Sequence, residues 1–453
     1  MNSIDDTIVA LATAQGISAI AVIRLSGKDC IAITQKVFKG KNLLEQPSHT
    51  LHFGTIHDNG KNIDEVLISL FKEPNSFTKE NSIEISCHGS PVIVKEIIKA
   101  LVKNGARLAG PGEFTKRAFI NGRFDLAQAE AVADIISAET DNARQAALNQ
   151  MRGGFSKEIQ HLREELIHFA SLIELELDFG EEDVEFANRD DLKNLIYKIQ
   201  SHLHSLIHSF DRGNVIKNGI PTVIAGKPNA GKSTLLNALL NEEKAIVSDI
   251  PGTTRDVIED EMILGGISFR FMDTAGLRET TDTVEAIGVE RTMERISKAA
   301  LVLYVFDLSQ PLNEILKEEE SLNQLKVPVI KVGNKMDKAD ASTIKKLEEK
   351  NFVLISASQK ANIQTLKEKI LSHFQIGEVK QGDVLVTNLR HFQNLTQTND
   401  SLERVLTGMS SGITGDFLAM DIRQSLHYLG EITGQVTTDD LLANIFSKFC
   451  IGK

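Results

Sequence analysis

The octapeptide G-K-P-N-A-G-K-S, from Gly226 to Ser233, contains the residues of a phosphate cradle. Its glycines let successive backbone N–H groups curl around a β-phosphate, and the helix that follows adds the positive end of its dipole. Lys232 can reach the β- and γ-phosphates, the Ser233 hydroxyl can ligate Mg²⁺, and Asn229, Ala230, Gly231 and Thr234 complete the expected lining. Three further stretches each read as a strand running into polar residues. I-S-F-R-F-M-D-T-A-G reaches Asp273, placed to hold the Mg²⁺ shell, and then Thr274, Ala275 and Gly276, which can turn toward a γ-phosphate. V-P-V-I-K-V-G-N-K-M-D carries Asn334, Lys335 and Asp337, and F-V-L-I-S-A-S carries Ser356, Ala357 and Ser358. A doubly wound sheet binds ligands at such carboxyl ends. The Asp337 carboxylate can accept from guanine N1–H and the 2-amino group, donors that adenine lacks, and a buried unpaired carboxylate is penalised. GTP and GDP are expected to bind, and ATP to be excluded.

Together these stretches resemble the G-motifs of P-loop GTPases of the translation-factor-related class, across residues 220 to 375. By that likeness G-T-T-R-D at 252 to 256 is the first switch, with Thr254 as a second Mg²⁺ ligand. One position departs from the Ras-like pattern. Those enzymes orient the attacking water with a glutamine just after D-x-x-G, whereas this chain has Leu277, whose apolar side chain cannot do so.

The elements that must hold these residues alternate strand and helix from about 220 to 375, as a parallel α/β sheet requires. Before them, T-I-V-A-L-A-T, S-A-I-A-V-I-R-L, L-H-F-G-T-I-H, V-L-I-S-L-F and S-I-E-I-S read as strands, and V-I-V-K-E-I-I-K-A-L-V-K-N as a helix opened by Pro91 and closed before Gly105. Helical spacing takes over from about 119. Leu162, Leu166, Phe169 and Ile173 share one face, as do Leu192, Leu195, Ile196, Ile199, Leu203, Leu206 and Phe210. Residues 174 to 191 hold nine carboxylates and one arginine, a solvated face or loop. D-R-G-N-V-I-K-N-G at 211 to 219 reads as a turn-rich close to this region. Helical spacing returns after residue 383 and runs to Cys450. The organisation expected is therefore a multidomain α/β chain. It has an α+β domain at 1–118, a helical domain built from two segments (119–215 and 379–453), and a doubly wound P-loop domain inserted between them at 216–378.

The 453 residues are 42% apolar and carry a net charge of −12, so any polyanion must be met by local basic groups or backbone amides. Three scattered cysteines without a C-x-x-C pair suit neither a disulfide framework nor a zinc site. The start is acidic where a targeting peptide would be basic, and no apolar run approaches a membrane span. These features predict a soluble cytoplasmic protein.

Beyond the G-motifs, D-T-I-V-A-L-A-T, G-E-F-T-K-R-A-F-I-N-G-R-F-D-L-A-Q-A-E-A-V at 112 to 132, D-T-A-G-L-R-E at 273 and the closing C-I-G-K resemble the MnmE (TrmE) family of tRNA-modification GTPases. The resemblance implies a homodimer whose G domains meet across their nucleotide faces. A K⁺ ion held by Asn229, with Ser248, Ile250 and Thr253 completing its shell, would supply the charge of an arginine finger. Ser248 and Thr253 would thereby also line the nucleotide, and Glu285 would position water. It further implies an N-terminal site for 5-formyl- or methylene-tetrahydrofolate at Arg24, Glu84, Arg123 and Lys453, residues that bear a bland reading as surface charges. Arg123 stands where the family often has lysine. For Cys450 three readings stand: a prenylation box, which Gly452 and Lys453 suit poorly; a buried small residue capping the last helix; or a thiol beside the folate, facing the reacting uridine. With a MnmG-type partner using FAD and NADH, such an enzyme modifies C5 of the wobble uridine of certain tRNAs. A GTP-switched ribosome-assembly factor is the rival class, although the one G-x-x-G, G-I-T-G at 412 to 415, lacks the basic residues of an RNA clamp.

Overall fold

The computed structural model describes residues 6–178, 189–240, 260–272, 296–374, 377–411 and 415–452. Its N-terminal part is one sheet built from β1 (Ile8–Leu11), β2 (Ser18–Ser26), β3 (Phe38–Lys39), β4 (Thr50–Asp58), β5 (Lys61–Phe71), β6 (Ser82–Gly89) and β7 (Arg107–Leu108), in the order β3-β4-β5-β6-β2-β1-β7. All neighbours are antiparallel except β1 and β7. Alternation along β5 sends Val66, Ile68 and Leu70 into a core shared with Cys30 and Ile33 of α1 (Cys30–Val37) and Ile97 and Leu101 of α2 (Pro91–Lys103). The opposite alternation leaves Ile20, Leu51, Phe53 and Leu67 exposed on the face turned away from these helices. As expected, Pro91 opens α2, where its missing N–H costs nothing.

A run of helices follows: α3 (Glu113–Ile120), α4 (Leu126–Ser137), α5 (Asp141–Met151), α6 (Gly154–Asp178) and α7 (Arg189–Asn218). Asp125 and Gln128 form a reciprocal capping box at the start of α4, and Thr140 caps α5. The expected turn at 211–219 is not there, because α7 runs on to Asn218. Gly213 is instead the point where the helix touches another segment, since a Cβ there would collide with the Val386 carbonyl oxygen. The acidic stretch divides between the end of α6, residues outside those described, and the first turn of α7, which holds Asp190 and Asp191.

The inserted sheet has the order β13-β12-β11-β8-β10-β9, from β8 (Ile220–Ala225), β9 (Asp260–Leu264), β10 (Ile267–Phe271), β11 (Leu301–Asp307), β12 (Val329–Asn334) and β13 (Val353–Leu354). Only the β9–β10 pairing is antiparallel. The helices α8 (Lys232–Leu240), α9 (Leu312–Ser321), α10 (Ala341–Glu349) and α11 (Ile363–His373) complete it. One side buries Leu235, Leu239, Leu366 and Ile370 against the strands; the other buries Ile315 and Leu347 with Phe306 and Leu354.

After residue 377 the chain returns through an extended segment into α12 (Leu389–Ser410), α13 (Gly415–Thr433) and α14 (Asp439–Ser447). Leu395, Leu402, Ile422 and Leu429 interleave with Leu162, Phe169, Ile196 and Leu203 of α6 and α7 in a single core. The helical domain is thus made from both flanks of the insertion. Among the described residues no helix is long and apolar enough to cross a membrane.

Candidate functional site

Asn334, 3% exposed at the end of β12, ties three of the sequence motifs together. Its Nδ2 donates to the Ala230 carbonyl at 2.8 Å, and its Oδ1 accepts the Ala357 N–H at 3.0 Å. Gly231, at φ +94°, has no space for a side chain, because a Cβ would collide with that same amide. Asn229 is also in the left-handed region, at φ +60°, which asparagine tolerates. Lys232 Nζ donates to the Gly226 and Lys227 carbonyls at 2.9 and 2.8 Å, and burial lowers its pKa against the opposing pull of Glu318. Ser233 and Thr234 lie in the first turn of α8.

The N-K-M-D end is held equally firmly. Ser356 Oγ donates to Asp337 Oδ1 at 2.6 Å and lies 3.3 Å from Ser358 Oγ. Lys335, at φ +64°, sends Nζ to Asp307 at 2.6 Å. Burial pushes the Asp307 carboxyl up, but Lys335 and Ser309 outweigh it and hold the group below its usual range. Cradle, N-K-M-D and S-A-S therefore converge at the carboxyl ends of β8, β12 and β13. The residues expected to complete this site, Ser248, Ile250, Thr253, Thr254, Asp273, Thr274, Ala275, Gly276 and Glu285, lie outside the described residues, as do Leu277, Lys453 and residues 412–414.

A second cluster lies on the outward face of the N-terminal sheet. Arg24 and Glu84 face each other across β2 and β6, with Arg24 Nε donating to Glu84 Oε1 at 2.9 Å. The Arg24 and Arg123 guanidinium groups sit 5.4 and 5.3 Å from the Phe77 ring centroid, and Arg123 also donates to the Ser76 carbonyl. Arg24, Glu84 and Arg123 line one cleft of about 520 Å³, together with Phe77, Lys79 and His49.

The chain's last segment runs beside this region. Ile451 bridges to Pro111, the Cys450 carbonyl accepts the Gly112 N–H at 3.3 Å, and a Cβ on Gly452 would collide with the Leu11 carbonyl oxygen. Cys450 is exposed, which removes the reading of it as a buried apolar cap. Cys30 and Cys87 are buried, and burial pushes both thiols up, Cys87 to about 11.

Comparison with known proteins bears on the whole chain. The model of the MnmE helical domain matches residues 126–450, and that of the N-terminus of the GTP-binding protein TrmE matches residues 7–123. The tRNA modification GTPase MnmE of Cytophaga hutchinsonii is 60% identical over 99% of this chain and 98% of its own length. Its namesake from Christiangramia forsetii is 52% identical over 99% and 100%. The chain belongs to the MnmE family. It is a GTP hydrolase that acts in tRNA modification. Among solved structures, Era from Aquifex aeolicus bound to GDP.AlF4- is 28% identical over 40% of this chain and 66% of that one, at a TM-score of 0.26.

In this MnmE-family chain the G-E-F-T-K-R-A-F-I-N stretch has a structural role that sequence reasoning missed. Glu113 accepts the Gly110 N–H at 2.8 Å and pairs with Arg107 at 2.7 Å. Arg117, 4% exposed, binds Asp6 and Glu80, and Asn121 Nδ2 donates to the Thr78 carbonyl at 2.7 Å. The motif thus clamps the start of β1 to the loop that carries Phe77. The i,i+4 spacing of Glu113 and Arg117 was the legible signal; their partners, far away in sequence, were not. A second missed cluster is the trio in which buried Glu130 and His391 meet at 2.7 Å (Oε2 to Nε2) and half-buried Arg390 Nη2 lies 2.9 Å from Glu130 Oε2.

Proposed function

We propose that this enzyme uses GTP hydrolysis to drive conformational change while its N-terminal folate site and the Cys450 tail serve the chemistry at C5 of the wobble uridine of certain tRNAs. The observation that carries this reading is the cleft at Arg24, Glu84 and Arg123. A carboxylate at one wall suits the ring N–H and amino donors of a pterin, Phe77 offers an aromatic face, and Lys79 and Arg123 suit the glutamate end. These residues fit a tetrahydrofolate, which when bound supplies the one-carbon unit; glycine or ammonium supplies the amine. Arg24 holds the Glu84 carboxylate in place, and exposed Cys450 is accessible to a nucleobase. The redox half falls to a flavoprotein partner of the MnmG type carrying FAD and NADH.

At the nucleotide, Ser233 and Thr254 are assigned to Mg²⁺, and Asn229, Ser248, Ile250 and Thr253 to K⁺. The left-handed backbone at Asn229, in the middle of the cradle, supports its use as an ion ligand. Glu285 is assigned to positioning the attacking water.

The homodimer contact is assigned to the same sheet face. Leu51, Ser69, Glu84 and Arg24 form one cross-strand row, and the adjacent row contains exposed Phe53 and Leu67. A second copy seated on that apolar stripe would wall the cleft. The cytoplasm, where tRNA is, is the assigned compartment.

Nucleoside mass spectrometry of bulk tRNA from cells with and without this chain tests the central claim. Loss of 5-aminomethyl-type wobble uridines on deletion, restored by the parent chain but not by Glu84→Gln, is the expected result. Unchanged tRNA with altered ribosome profiles would favour an assembly GTPase instead.

A further inference from the structure

Residues 260–272 form a hairpin whose first strand, β9, follows the segment bearing Thr254, and whose second, β10, precedes Asp273. Both expected nucleotide-sensing segments are therefore attached to it, one at each outer end. Because β10 runs parallel to β8, the tip at Gly265 and Gly266 lies at the opposite end of the strands from the phosphate cradle. The tip is where the helical domain takes hold. Asn142 of α5, 8% exposed, donates from Nδ2 to the Gly266 carbonyl at 3.3 Å, while its Oδ1 accepts the Val379 N–H at 3.0 Å. One side chain thus holds the hairpin tip and the segment by which the chain leaves the inserted domain.

The surroundings leave this contact little freedom. Gly265 and Gly266 have φ of +58° and +76°, and a Cβ would fall 2.7 Å from Leu371 Cδ2 and 2.9 Å from Asn142 Nδ2, respectively. Two turns along α5, Asn149 Nδ2 donates to the Lys380 and Asp383 carbonyls at 2.9 and 3.1 Å. Between them Ala146 packs on Ile216 and Val379. From α5 the connection continues inward. Gln150 Nε2 donates to the Ala127 carbonyl at 2.8 Å, and Leu126 and Ala129 of α4 pack against Phe446 and Phe449, next to the Cys450 tail.

We propose that Asn142 is a positioning residue that couples nucleotide state to the modification site. It registers the hairpin between the two switch segments against α5 and the return segment. Nothing in this role touches nucleotide, so GTP binding should survive its loss while communication does not.

The test is amide hydrogen exchange on the full chain, comparing GDP with a non-hydrolysable GTP analogue, in the parent and in Asn142→Asp. The aspartate is isosteric; it keeps the acceptor for Val379 and sets a carboxylate against the Gly266 carbonyl. In the parent, exchange across residues 141–151 and 377–387 should differ between the two nucleotides by about tenfold, the scale of a typical coupling energy. In Asn142→Asp that difference should vanish with KM for GTP unchanged. Gly266→Ala, which disturbs the contact from the other side, should give the same result and serves if Asn142→Asp folds poorly. A parent with no nucleotide-dependent difference in either segment overturns the proposal. So does a variant that melts earlier yet keeps the difference, which would make Asn142 merely structural.

Discussion

At Asp337, the residue assigned to base selection, a neighbouring serine, Ser356, already holds one carboxylate oxygen in place. Replacing it by asparagine removes a charged acceptor of two hydrogen bonds and presents a donor instead. Asp337→Asn should weaken GTP by about 10–100-fold, the cost of losing hydrogen bonds to a charged group. Xanthosine triphosphate, which carries a carbonyl where guanine has its 2-amino group, should gain affinity, and a competition titration measures both. Asn334→Ala acts differently, because its amide serves Ala230 and Ala357 at once. Two buried backbone groups would lose their partner, so the chain should lose about 2–3 kcal/mol of stability by denaturant unfolding, along with affinity for every guanine nucleotide. These residues were the most legible part of the molecule. Their chemistry depends on local order along the chain, strand then loop then helix, which a motif records directly.

Helices and strands were less legible wherever their form depends on a distant partner. Gly213 reads as a turn residue in isolation, yet it sits in the middle of the last stretch of α7, pressed on the backbone of Val386. Alanine is the better helix former by about 1 kcal/mol, so helix propensity alone predicts that Gly213→Ala stabilises. Packing predicts the reverse, a loss of about 2 kcal/mol, because the obstructing atom is backbone and cannot swing aside; thermal unfolding distinguishes the two. The Glu130–His391–Arg390 trio was invisible for the same reason, as its members come from helices α4 and α12, separated by the whole inserted domain. Burial lowers the His391 pKa from 6.5. Burial also pushes Glu130 up, but His391 and Arg390 overcome that and bring it to about 2. Both shifts favour the deprotonated side chain in the folded state. Stability should be fully present above pH 6.5 and fall as the medium is acidified, first through His391 and then, below 4.5, through Glu130. His391→Leu should flatten the first part of that decline in melting curves collected between pH 7.5 and 5.5.

For the molecule as a whole, the three-part organisation was readable because the hydrophobic period changes at each boundary, from two to 3.6 and back to alternation. The cleft on the N-terminal sheet was not readable from period or spacing. Arg24, Glu84 and Arg123 converge only when β2 pairs with β6 and α3 swings the 121–125 turn over Phe77. Phe53, exposed on the same face, tests whether that face is shared between copies. Phe53→Glu should convert a dimer to a monomer by sedimentation and weaken 5-formyl-tetrahydrofolate binding with it; a dimer that persists would place the contact elsewhere. The insertion carries a further consequence, for biosynthesis. Phe169 and Leu203 find their partners Leu402 and Ile422 only after the entire inserted domain has left the ribosome. Until then the apolar faces of α6 and α7 lack the cover that α12 and α13 provide. The order of maturation is therefore set by connectivity, with the N-terminal sheet first, the nucleotide-binding domain next and the helical core last. A nascent chain stalled before α12 should be retained by chaperones even though its GTPase domain is already folded.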